Sequence, residues 1–133
     1  MLRDRLLTVF RDRYGELPQY LVQAPGRVNI IGEHTDYNEG FVLPMAIDRA
    51  IWIAFRRRED RDVRLYSIDF EQDIDFNLNH LKYEKPSWVE YIKGVAWVLA
   101  EAGYPLKGWD GVLIGDVPIG AGLSSSAALE IAT

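Results

Sequence analysis

Two polar stretches hold most of the side chains that can do chemistry. The first runs Ala24-Pro25-Gly26-Arg27-Val28-Asn29-Ile30-Ile31-Gly32-Glu33-His34-Thr35-Asp36-Tyr37-Asn38-Glu39-Gly40 and lies between apolar runs. Glu33 and Asp36 offer planar carboxylates suited to the vicinal hydroxyls of a sugar. His34 can donate or accept, and Thr35 or Asn38 can complete a hydrogen-bonding ring. Arg27 is a permanent cation, fit to hold a transferring phosphoryl group or to depress a neighbouring carboxylate's pKa. Two other readings stay open on these residues alone. Glu33, His34 and Asp36 can be metal ligands, although Glu-His-x-Asp is not a standard ligand spacing, or the stretch is a solvated loop.

The second stretch is Pro118-Ile119-Gly120-Ala121-Gly122-Leu123-Ser124-Ser125-Ser126-Ala127-Ala128, a strand-to-helix turn by its pattern. Glycines let backbone N–H groups approach an anion closely, and the start of a helix adds unpaired N–H groups and the positive end of its dipole. The three serines bring hydroxyls that donate to phosphate oxygens or ligate magnesium. No Gly-Lys-Ser/Thr follows the glycines, so this is not a Walker A loop. Phosphate charge would then be met by backbone, dipole and Mg²⁺. An ordinary turn with a serine cap remains the alternative.

The elements that must carry these stretches follow from periodicity. Leu2, Leu6, Leu7, Phe10 and Tyr14 recur at helical spacing and Gly15 stops them, predicting a helix over 2–14. Tyr20 to Ala24 reads as a short strand ended by Pro25-Gly26, and residues 32–40 as a loop. Residues 41–47 and 50–56 read as two strands, with further strands around Val63 to Tyr66 and Ile74 to Leu78. Arg56 to Asp62, a mixed-sign charge run, reads as a solvated hairpin. From Ser87, a plausible N-cap, Trp88, Tyr91, Ile92, Val95 and Leu99 share one helical face, and Gly103 ends the run. Gly111 to Gly115 is a short strand, and a last helix begins at Ser124. This order predicts an α+β domain.

Composition sets the outer bounds. The 133 residues suit one domain or a piece of a larger one, and 48% hydrophobic with 26% charged residues excludes whole-chain disorder. Without cysteine there are no disulfides, thiolate nucleophiles or Cys-ligated zinc, which fits a reducing cytoplasm. A net charge of -5 argues against nucleic-acid partners. Apolar runs such as Ala50 to Phe55 are six residues long, far short of the ~20 that span a bilayer, and the N-terminus is no secretory signal.

Residues 26–47, GRVNIIGEHTDYNEGFVLPMAI, strongly resemble the galactokinase signature. Residues 118–130, PIGAGLSSSAALE, resemble the second motif of the wider family of galactokinases, homoserine kinases, mevalonate kinases and phosphomevalonate kinases. Trp88 to Gly94 is similar to the family's helix beside the adenine pocket, although its aromatic residues also read as core.

The resemblance implies the N-terminal domain of that kinase superfamily, a fold shared with an RNA-binding ribosomal domain. It also implies ATP-dependent phosphorylation of the C1 hydroxyl of α-D-galactose. Arg27 would stabilise the transition state and tune the base, while Glu33, His34, Thr35 and Asp36 would bind the sugar. Gly120, Ala121, Gly122, Leu123, Ser124, Ser125 and Ser126 would cradle the ATP phosphates, Trp88 and Tyr91 would meet the nucleotide, and Ser126 would ligate Mg²⁺.

In the family, the base aspartate, a glutamate that helps hold Mg²⁺ and a third glycine-rich motif lie further along the chain. Neither Asp110 nor Asp116 matches the base. Residues 1–133 therefore read as an incomplete N-terminal kinase domain ending inside the helix after the phosphate motif. A galactose-sensing regulator without catalysis, or a kinase for a related sugar such as N-acetylgalactosamine, are the alternatives.

Overall fold

A computed structural model describes residues 1–31, 40–117 and 125–133. In chain order these form α1 (Leu2–Tyr14), β1 (Tyr20–Ile31), β2 (Leu43–Arg57), β3 (Asp62–Ser67), β4 (Gln72–Asn77), α2 (Trp88–Glu101), β5 (Trp109–Gly115) and α3 (Ser125–Ala132). The helix α1 spans the predicted residues and stops at Gly15. There φ is 74°, and the Gly15 N–H donates to the Arg11 carbonyl at 2.8 Å. At α2 the Ser87 hydroxyl accepts from the Val89 N–H at 3.4 Å, the expected N-cap.

The strands form one sheet in the order β1-β2-β5-β3-β4, antiparallel throughout except for the parallel β3–β5 pair. Strand β5 lies at its centre, with residues 110–114 all buried. Its side chains alternate between two cores, as a pleated strand covered on both faces requires. Val112 and Ile114 join Leu6, Phe10 and Ala54 beneath α1. Leu113 joins Ile53, Leu65, Ile92, Ala128 and Leu129 beneath α2 and α3. The result is an α+β sandwich with one helix on one face and two on the other. No helix among the described residues is long and apolar enough to cross a membrane.

The strands correct the sequence reading in three places. Pro25-Gly26 does not end β1, which runs on to Ile31. As an edge strand β1 tolerates a residue with no N–H, and the irregularity is absorbed in the register. Between the pairs Pro25↔Ala50 and Arg27↔Ala46, β2 advances four positions where β1 advances two. For the same reason Asp48-Arg49 does not divide β2 into two strands.

The charge run from Arg56 to Asp62 is not a hairpin, because β5 lies between β2 and β3 and the connection must cross over it. The crossing is close: a Cβ on Gly108 would fall 2.8 Å from the Asp62 nitrogen.

That crossover carries an ion cluster. Asp110 is only 2% exposed. It accepts from Arg56 Nε at 3.0 Å and from an Arg58 terminal nitrogen at 3.0 Å. Arg56 also reaches Glu16 at 2.7 Å and lies over the Tyr14 ring, while Arg58 reaches Asp60 at 2.7 Å. The Arg58 hydrogen bond holds the Asp60 carboxyl down to about 2, and burial, reinforced by the Asp110 carboxylate, pushes the Tyr14 phenol up. A buried carboxylate is tolerable here because two guanidinium groups meet it. Asp110→Asn keeps the shape and removes the charge. It should destabilise the protein by about 3 kcal/mol in a urea titration.

Candidate functional site

A groove of about 440 Å³ opens where β5 ends. The parallel pairing with β3 stops at Ser67↔Leu113, with one further bond from the Ile68 N–H to the Leu113 carbonyl at 2.9 Å. The chain then turns away through Asp69, Phe70 and Glu71 into β4, and Glu71 takes a positive φ of 49° in that turn. Helices α2 and α3 cover the sheet from the other side, and the space between them and this turn is the groove.

Four residues singled out from the sequence line it together: Trp88 and Tyr91 from α2, Ser125 and Ser126 from α3. The Trp88 indole is fixed on two sides. It stacks on Phe70 with ring centroids 5.9 Å apart and planes at 19°, and its Nε1–H donates to Gln72 Oε1 at 3.0 Å. Tyr91, three residues along the same helix, is 44% exposed. The core reading therefore fails for Tyr91 but holds in part for Trp88, which is half-buried and packs against the core cluster, while Val89 and Ile92 on the same helix are buried. A flat aromatic wall of this kind accepts a planar ring.

Ser125 and Ser126 stand in the first turn of α3, whose leading N–H groups have no partner within the helix and favour an anion. No Lys or Arg occurs among the described lining residues, and Asp69 is their one carboxylate. An anion bound here would be met by backbone and dipole.

The other expected residues divide into two groups. Arg27 lies on β1, half-buried, opposite Ala46. Glu33, His34, Thr35 and Asp36, and Gly120, Ala121, Gly122, Leu123 and Ser124, lie outside the described residues. Ala24 of β1 shares a core cluster with Ala128, Leu129 and Ala132 of α3. The strand leading to the first polar stretch thus packs against the helix that follows the second. No cluster of three or more acidic or histidine side chains suited to a metal exists among the described residues. Sequence reasoning missed Phe70 and Gln72; an aromatic inside the acidic Asp69 to Gln72 turn was their only signal.

Comparison with known proteins agrees with both stretches. The galactokinase galactose-binding signature matches residues 8–57, and the GHMP kinases N terminal domain matches residues 90–133. A galactokinase of Chloroflexus aggregans is 50% identical over 128 residues, covering 96% of this chain and 33% of its own length. One of a Roseiflexus species is 50% identical over 131 residues, covering 98% of this chain and 32% of its own. The chain thus spans about a third of the length of the curated relatives it matches.

The crystal structure of Lactococcus lactis galactokinase complexed with galactose superposes with a TM-score of 0.88 at 37% identity, over 98% of this chain and 35% of that one. Methanococcus jannaschii mevalonate kinase, at 24% identity and a TM-score of 0.69, shares the fold over 85% of this chain and 37% of its own.

Proposed function

From a chain that belongs to the galactokinase family, as the N-terminal portion of its fold, we propose an ATP-dependent kinase for the C1 hydroxyl of α-D-galactose. The observation that carries this reading is the groove at the end of β5. It gathers Trp88, Tyr91, Ser125 and Ser126, and the strand that leads into Glu33 to Asp36 packs against the same helix α3. In the transfer, the C1 hydroxyl gives its proton to the base while its oxygen forms a bond to the γ-phosphorus and the bond from that phosphorus to the bridging oxygen breaks, leaving ADP. The enzyme's task is positioning and charge stabilisation.

Each residue then has a task. Trp88 and Tyr91 hold the base of ATP, and Gly120 to Ser126 hold its phosphates with backbone N–H groups and serine hydroxyls. Ser126 would hold the magnesium ion in this stretch. The donor set suits that ion, since hydroxyl and phosphate oxygens are the hard ligands Mg²⁺ takes, and when bound it would supply charge neutralisation. Glu33, His34, Thr35 and Asp36 hold the sugar hydroxyls and so fix which oxygen faces the phosphate. Arg27 stabilises the charge that develops during transfer. Residues 1–133 form the N-terminal kinase domain, and the base comes from sequence that follows them in the family. A cysteine-free chain suits the cytoplasm, where we place the enzyme.

A coupled ADP-release assay with galactose, ATP and Mg²⁺ tests this on the 133-residue chain and a full-length protein side by side. Turnover by the full-length protein alone is the expected result, and clear preference for another sugar in a substrate panel would reject galactose. In the full-length enzyme Arg27→Ala should lower kcat roughly 10²- to 10³-fold with little change in sugar affinity. Asp36→Ala should weaken galactose binding roughly 10-fold, read by calorimetry, through loss of a charged hydrogen bond.

A further inference from the structure

Given the kinase reading above, on which this rests, we infer that Asp69 and Asp116 are positioning residues that fix where the chain enters the phosphate-binding turn. Neither is assigned to contact substrate. Once β3 turns away after Ser67, the Gly115 N–H on that side of β5 has no strand to bond to. The Asp69 carboxylate takes the strand's place, accepting this N–H through Oδ2 at 2.7 Å.

On the opposite side, β2–β5 pairing ends at Ile51↔Gly115. There Asp116 extends the ladder by one step. Its N–H donates to the Ala50 carbonyl at 3.2 Å, and its Oδ1 accepts the Ala50 N–H at 2.8 Å. Its Oδ2 lies 3.5 Å from Arg49.

The two carboxylates therefore hold β5 from both sides at its last residues, just before Pro118. The stretch that holds Gly120 and Gly122 joins the described chain through two flanks. The far flank is α3, anchored by the buried Ala128, Leu129 and Ala132. The near flank is anchored by Asp69 and Asp116. Small displacements of groups that grip a reacting phosphate are costly in rate and affinity. Both carboxylates are bound to backbone donors, and they act on the nucleotide through the turn.

The test uses the full-length protein and measures MgATP and galactose binding separately by calorimetry, with wild-type turnover as reference. Asp69→Ala and Asp116→Ala should each weaken MgATP roughly 10-fold, leave galactose affinity unchanged and leave Tm near wild type. Asp69→Asn and Asp116→Asn should restore MgATP binding, because an amide oxygen still accepts the same N–H.

Alanine variants that bind MgATP within about twofold of wild type would overturn the inference. So would parallel loss of both ligands, or asparagine variants as weak as alanine. A wild type that binds MgATP but turns over no galactose defeats the kinase reading and leaves this binding comparison in force. A wild type that binds no MgATP defeats both.

Discussion

Burial of β5 on both faces is the constraint that organises this domain. A strand with no solvent-facing side needs a helix layer above and below it, and the chain supplies α1 for one face and α2 with α3 for the other. It also needs a neighbour on each edge, which forces β2 and β3 apart and sends the connection between them across its N-terminal end. Each end of β5 then has a distinct task. Near Trp109 a buried aspartate is neutralised by arginines from the crossover. At Gly115 the loss of one neighbour opens the groove.

Charge is divided along the same strand. The arginines at positions 56 and 58 gather around Asp110, while the groove has no basic side chain among its described lining residues. Asp110 and Gly115 are separated by roughly 17 Å at the usual rise of a strand. A phosphate in the groove would thus be met by helix N–H groups and hydroxyls, donors that are fixed in direction by the backbone. Fixed donors hold an anion in one place, which long flexible cationic side chains do less well.

Local pattern made the helices legible. The stripe of Leu6 and Phe10, the Ser87 cap and the glycine at position 15 are short-range signals, and each has its structural counterpart. Part of the candidate site was legible too, since Trp88 and Tyr91 of α2 and the serines at 125 and 126 meet in one groove, whereas Glu33 to Asp36 lie outside the described residues. What the sequence hid was pairing at a distance. Nothing local in Arg56 to Asp62 says that β5, some fifty residues on, will slide between β2 and β3. Pro25 reads as a terminator unless β1 is known to be an edge strand. Asp69 was equally opaque, one acid in an acidic turn whose partner is a backbone N–H 46 residues away.

The strand order also has a consequence for how the chain comes off the ribosome. β1–β2 and β3–β4 are each local antiparallel pairs that can form early, but no hydrogen-bonded ladder joins β2 directly to β3. Until β5 has been synthesised, the inner edges of β2 and β3 remain open rows of amide and carbonyl groups that can pair with other chains. Of the five strands described, the one at the centre is the last to be made, so until β5 emerges the other four stand as two separate halves exposed to aggregation.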